Sequence, residues 1–394
     1  MKLGVDFGTS NTVVSYMENN TPLVLKFNHS GVSRDIFPSV SFYPSGQEAS
    51  FHGLQALEYA FTRHGTLVKS LKRILKNYYQ GLQFQAGEFQ REAKDLLLDF
   101  LKNLRVQVTQ SQHLPPDETL EVLLTVPANS NGAQRSITRA CFQEAGFLVS
   151  PQILEEPTAS AIEFCYSGVS DRLRSQGKPF YVIVYDLGGG TFDTSLIRIQ
   201  PDHFSVIATA GIEQLGGDDF DRCLYQMVVE QKDLFGLTSL QEKLLLHRCC
   251  EAKEMLANTI EPKYIRIDLE EARISSESVK IKVDEYYERL LPLVNQTLYK
   301  IEEVLQSKAV TREGIHGIEE IENIYLVGGS SQLQLILRRI QEKYGPDKVH
   351  LSSLPFASIA LGASRRLFQH KIQIEQIFSR NFGVMRVAGG NEYF

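Results

Sequence analysis

Two short segments constrain this chain more than anything else in it. They are Val5-Asp6-Phe7-Gly8-Thr9 and, much later, Tyr185-Asp186-Leu187-Gly188-Gly189-Gly190-Thr191. Each closes an apolar run with an aspartate, passes through glycine and reaches a threonine. Leu3–Asp6 reads as a strand followed by another around Thr12–Tyr16. Tyr181–Leu187 reads as a strand followed by Thr194–Ile199 and Phe204–Ala210. Both turns therefore lead from strand to strand, which predicts two related lobes, each offering one loop to a shared cleft. A Walker-type loop is excluded because no GxxxxGK[ST] occurs. A Rossmann fingerprint fails because a strand, not a helix, follows the glycines.

The rest of the chain fits an α/β protein. Leu120–Val126 is a buried-strand run ending at Pro127, Tyr264–Leu269 and Ser278–Val283 alternate, and Ile324–Val327 is a short strand before Gly328-Gly329. Arg91–Arg105, Asn131–Ala145, Asp219–Lys232, Leu240–Thr259 and Asp284–Leu305 read as helices between them. With 394 residues the chain can bury two lobes. A net charge of −6 without a long basic run gives no sign of nucleic-acid binding. No apolar run approaches the roughly 20 residues that span a bilayer, and the N-terminus meets Asp6 too early for a signal-peptide core. The five cysteines lack CxxC spacing, so they read as reduced thiols of a cytoplasmic protein, and the neighbours Cys249 and Cys250 point in different directions on a helix.

Glycines between carboxylates suit a polyphosphate. They let backbone amides approach oxyanions without a Cβ in the way. Asp6 and Asp186 are placed to hold magnesium through its water shell, and Thr9, Ser10 and Thr191 can add hydroxyl hydrogen bonds. For Gly8-Thr9 alone a plain turn is the simpler reading. Three glycines between Asp186 and Asp193 exceed what a turn requires.

Five segments in order, Asp6–Thr12, Glu155-Glu156-Pro157-Thr158-Ala159, Asp186–Asp193, Leu326-Val327-Gly328-Gly329-Ser330 and Ala360-Leu361-Gly362-Ala363, resemble the motifs of the actin-like ATPase superfamily. Leu71-Lys72-Arg73, Thr125-Val126-Pro127-Ala128 and Leu215-Gly216-Gly217-Asp218-Asp219-Phe220-Asp221 resemble its DnaK-type (70-kDa heat-shock) chaperone branch, and the resemblance runs over essentially the whole chain. It implies an actin-like ATPase fold, two lobes each built on a ribonuclease-H-like mixed sheet with flanking helices, and a nucleotide cleft between them. The implied boundaries are residues 1–175 with 355–371 for lobe I, 176–354 for lobe II, and 372–394 for an interdomain linker entering a peptide-binding β-domain. The implied ligands are ATP or ADP with Mg²⁺ and a monovalent cation such as K⁺. Unfolded client peptides, a J-domain co-chaperone and a nucleotide exchange factor are the implied partners.

By the same resemblance Lys72 reaches the γ-phosphate and orients the attacking water. Glu156 stands near magnesium and that water, Thr191 touches the γ-phosphate, and Asp193 accepts from water or binds the monovalent cation. Gly8, Thr9, Ser10, Asn11, Gly188, Gly189, Gly190, Gly216, Gly217, Asp218, Lys253, Glu254, Gly328, Gly329, Ser330 and Gln332 line the nucleotide, and Pro127 with Arg135 relays its state. Taken as bare residues, Lys72 belongs to a solvated basic face and Glu156 is a helix-start acid before Pro157.

The adenosine end departs from the family. The helix over the base carries Cys250, Lys253, Glu254 and Ala257 where the family has Glu, Lys, Arg and Ser; Gln332 replaces a second Arg, Phe356 an Asp and Asn11 a Tyr. Loss of two guanidiniums removes planar cations that could sandwich an adenine. Weaker adenosine binding, a different base contact or faster exchange is the expectation. A sugar or small-molecule kinase, an actin-like filament protein and a non-hydrolysing regulator are the rival readings.

Overall fold

The computed structural model describes residues 1–394 apart from 77, 169, 176, 258, 260, 370, 376–385, 389–390 and 394. Two large mixed sheets dominate it, and they share one topology. In the first, β1 (Lys2–Phe7) forms antiparallel hairpins onward through β2 (Asn11–Glu18) and β3 (Thr21–Val24), while β4 (Glu121–Val126) and β5 (Leu148–Val149) add in parallel on its other side. In the second, β6 (Phe180–Leu187) leads antiparallel to β7 (Phe192–Gln200) and β8 (His203–Ile212), with β9 (Asn323–Val327) and β10 (Val349–Leu351) parallel beside it. Each parallel pair is joined by a crossover helix, Gly132–Glu144 in one and Gln334–Tyr344 in the other. The echo between the Asp6 and Asp186 segments is thus the visible trace of one arrangement used twice. The fold is the mixed α/β architecture expected of an actin-like ATPase.

Covered on both faces, the central strands have little room for polar residues. Leu3, Val5, Val182, Val184, Ile324 and Leu326 are all buried. One apolar cluster joins the sheets, combining Leu123, Leu154 and Ile162 with Val182, Tyr325 and Val327. It is threaded by the helices Glu156–Tyr166 and Ser358–Phe368, which cross backbone to backbone, since a Cβ on Gly362 would collide with the carbonyl of Ala159; the second helix also lies against β1, where a Cβ on Gly4 would collide with the amide of Ser364.

The expected helices form with small changes at their ends. The first starts at Ala93, not Arg91, because Phe89–Glu92 pairs with Gln83–Ala86 in a hairpin. Asn131 caps rather than begins its helix, accepting a hydrogen bond from the Gln134 amide at 2.8 Å. Helices Gly53–Thr62, Gln334–Tyr344 and Ser358–Phe368 had no sequence expectation. Near the C-terminus Gln373–Glu375 pairs in parallel with His203–Ser205 at the edge of the second sheet, where Glu375 accepts from Ser205 Oγ at 2.9 Å. Of the stretch read as a linker, 372–394, residues 376–385, 389–390 and 394 lie outside the described residues.

Candidate functional site

The ends of β1 and β6 bring Asp6 and Asp186 to the same end of the two sheets. Around them gather Lys72, from the short helix Leu71–Lys76, Glu156, at the start of its helix, and Asp193, which pairs with Asp186 across the β6–β7 hairpin. Lys72 Nζ sits 2.5 Å from Glu156 Oε1, with both side chains nearly buried. Burial pushes the Asp6 carboxyl up to about 7; Lys72 opposes the rise, Glu156 adds to it, and a hydrogen bond from Thr125 lowers it. Burial also drives Asp186 well above the usual carboxylate range, and Glu156, Asp193 and Asp6 reinforce it while Lys72 opposes. On Lys72 burial works against the charged form, but Glu156, Asp6 and Asp186 outweigh it and raise its pKa.

Four carboxylates thus share one ammonium in a poorly hydrated hollow. That donor set suits a hard cation that prefers oxygen ligands. Among the described residues no three His, Cys, Asp or Glu side chains converge closely enough to hold a metal directly. A narrow cavity beneath the carboxylates is lined by Pro127, Ala128, Glu156, Asp186, Asp193 and Ser195.

Three glycine-bearing turns converge beside this hollow, and their glycines are explained by contact between backbones. Gly188 O accepts from the Gly217 amide at 3.0 Å and from Ser330 Oγ at 2.9 Å, and Gly189 O accepts from the Asp218 amide at 2.6 Å. A Cβ on Gly216 would lie 2.6 Å from the Gly189 backbone, and one on Gly217 would lie 2.5 Å from Ser330 Oγ. Gly328 has φ +82°, and its Cβ would fall 2.5 Å from Asp186 Oδ1. Gly329 begins the short turn that carries Ser330 and Gln332. From the first sheet, Ser10 stands against Gly189, and Thr9 Cγ2 lies 3.3 Å from where a Gly190 Cβ would be. Gly8 closes onto the Asn11 carbonyl, and Asn11 opens β2. Gly188 donates to the Thr191 carbonyl at 3.0 Å, which closes the second loop.

Farther along the cleft, Lys253 is buried, pairs with Asp221 at 2.7 Å and donates to Gly217 O at 2.9 Å. Cys250 Sγ approaches Glu254 Oε1 at 3.7 Å, and Gln332 Nε2 is turned back onto Gly329 O at 3.1 Å. Phe356 packs with Val13 and Ala357. The residues at this end therefore satisfy one another or face solvent.

Several participants carried no role in the sequence reading. Arg73 Nη2 donates to Gly190 O at 2.5 Å and ties the first sheet's side of the cleft to the second loop. It belongs to the Leu71-Lys72-Arg73 motif but had been given no contact of its own. Asp221 belongs to the Leu215–Asp221 motif but had no job until Lys253 arrived beside it. Arg135, which the resemblance sets beside Pro127 as a relay, pairs with buried Glu155 at 2.7 Å. Across the cleft mouth Phe61 stacks on His247, with ring centroids 4.7 Å apart and planes 29° apart, and it packs on the second sheet's core cluster.

Residues 100–367 match the family described as Hsp70 protein. The chain belongs to the Hsp70 family. It is 30% identical over 380 residues to the chaperone protein HscA homolog of Polynucleobacter necessarius, covering 92% of this chain and 57% of that protein. To the HscA homolog of Haemophilus influenzae it is 30% identical over 386 residues, again covering 92% of this chain and 57% of the relative. The chain thus spans little more than half the length of these Hsp70-family relatives. They carry the HscA name, so the narrower DnaK assignment gives way to membership of the Hsp70 family.

Proposed function

We propose that this chain binds a nucleoside triphosphate with magnesium between its two sheets and hydrolyses the terminal phosphoanhydride, as the nucleotide-handling part of an HscA-like cytoplasmic chaperone. The observation that carries this reading is the Lys72–Glu156 pair held between Asp6 and Asp186, at the edge of a pocket made from glycine backbones. Phosphoryl transfer to water depends mainly on positioning and on stabilising charge on the transferred group. Lys72 would supply a cation at the γ-phosphate, Glu156 would hold Lys72 and the attacking water in line, and Thr191 would donate to a phosphate oxygen. Magnesium, held through its waters by Asp6 and Asp186, would neutralise phosphate oxygens. Asp193 is positioned for the water or for a monovalent cation. The proposed organisation is residues 1–175 with 355–371 as lobe I, 176–354 as lobe II and 372–394 as a connecting segment. Client peptides, a J-domain co-chaperone and an exchange factor are partners carried over by resemblance.

Single-turnover hydrolysis of ATP by the chain and by Lys72→Ala tests the mechanism; equal rates would remove Lys72 from it. A second reading concerns the base. Cys250, Glu254, Ala257 and Gln332 favour a site that recognises the polyphosphate more strongly than the adenine. Calorimetric titration with ATP, ADP and GTP checks this, and clear selection of ATP over GTP would sink it.

A further inference from the structure

We propose that Arg73 is a phosphate ligand of the cleft, one that rests on Gly190 until a polyphosphate takes the carbonyl's place. The inference rests on the proposed polyphosphate site and adds a residue to it. Consecutive positions on a helix point about 100° apart, so Lys72 and Arg73 leave the same short helix toward different parts of the cleft. Lys72 goes to the carboxylates and is bound to Glu156. Arg73 goes to the glycine loop: a Cβ on Gly190 would lie 2.5 Å from its Nη2 and 3.3 Å from Thr9 Cγ2. The guanidinium therefore stands against the second loop with Thr9 of the first loop beside it, within reach of an anion cradled between them.

The hydrogen bond it makes there is to a neutral carbonyl. Its donor is already charged; a phosphate oxygen adds the opposite charge on the acceptor, and the planar guanidinium fork can grip two such oxygens at once. The exchange therefore runs toward the ligand. The nearby charged group is Asp218, which is electrostatically coupled to Lys69 as well as to Arg73. Asp218 offers a counter-reading, in which Arg73 only ties the two sheets together.

The test is calorimetric titration of the wild type, Arg73→Lys and Arg73→Met with magnesium tripolyphosphate and magnesium ADP, alongside thermal melts. A phosphate ligand predicts that Arg73→Met weakens tripolyphosphate binding about tenfold to hundredfold, and Arg73→Lys by a smaller factor, because charge remains while the fork is lost. Wild-type affinity in both variants would overturn the proposal and leave Arg73 as a tie between the sheets. If Arg73→Met does not fold, Arg73→Lys decides alone: undiminished tripolyphosphate affinity overturns the role. A wild type that binds neither probe would instead overturn the polyphosphate reading itself.

Discussion

The two ends of the cleft are built from different materials. At one end backbone meets backbone: Gly188–Gly190, Gly216-Gly217 and Gly328 interlock, and Asp6, Asp186 and Glu156 surround Lys72. At the other end side chains from a single helix and a short turn do the work, and here they are Cys250, Glu254, Ala257 and Gln332. A backbone cradle tolerates little change, since a Cβ on Gly189, Gly190, Gly216, Gly217 or Gly328 would strike a neighbour. A side-chain end can be rewritten residue by residue without disturbing the fold. If the proposed nucleotide site holds, the contrast teaches that phosphate handling and base recognition are separable in this architecture.

The strongest way to break the comparison is Asp186→Asn. If the carboxylate end is the reactive one, single-turnover hydrolysis falls about a hundredfold or more, in line with loss of a preorganised electrostatic group. A rate within threefold of wild type, measured by phosphate release, would move the chemistry elsewhere.

Next in size is a repair of the base end. Replacing Glu254 and Gln332 together by arginine should tighten ATP and ADP binding about tenfold, because two guanidiniums can stack on an adenine. Tripolyphosphate binding should not change by the same factor. Equal gains for both probes would mean that added charge, not base stacking, is responsible.

A smaller effect is expected at the mouth. Phe61→Ala removes the stack on His247 and should speed release of a fluorescent nucleotide a few-fold, consistent with an aromatic pair contributing about 1 kcal/mol. The chain contains no tryptophan. Phe61→Trp would therefore be a unique emitter, and its signal should shift on nucleotide binding if the mouth moves. An unchanged spectrum and unchanged release would separate this contact from the cleft.

The smallest effect provides a control away from both ends. His52 is buried, bonded to Ser41 Oγ at 2.8 Å, and burial lowers its pKa to about 4. The unfolded chain takes up this proton near the ordinary histidine pKa, about 6.5, while the folded chain does not. Stability from this site is therefore complete above that pH and declines as pH falls toward 4. Between pH 7 and 5.5 the wild type should lose about 1 kcal/mol more than His52→Gln in urea melts. Parallel pH profiles would remove the assignment.

Much of this was legible from residues in order. Asp-Gly-Thr segments closing strands announced the duplicated sheets, and the long apolar runs gave the parallel strands. Glycines near one another in space but not in sequence could be matched only through resemblance, because nothing local says that Gly188 will meet Gly217. Arg73 and Asp221 escaped for the same reason: each is defined by a partner supplied by a distant element. Helix Ser358–Phe368 escaped for another. Its first seven residues, Ser358–Ser364, are all buried, so no polar face marks it before Arg365 and Arg366.

The crossing of that helix with Glu156–Tyr166 has a mechanical consequence. Two backbones in contact, with no long side chains to interdigitate, have no teeth to slip past one another. They form a fulcrum that permits tilting and resists sliding. Angular change at a fulcrum is amplified with distance. Glu156 stands one turn before Ala159, so the carboxylates adjoin this pivot and would be displaced little by tilting about it.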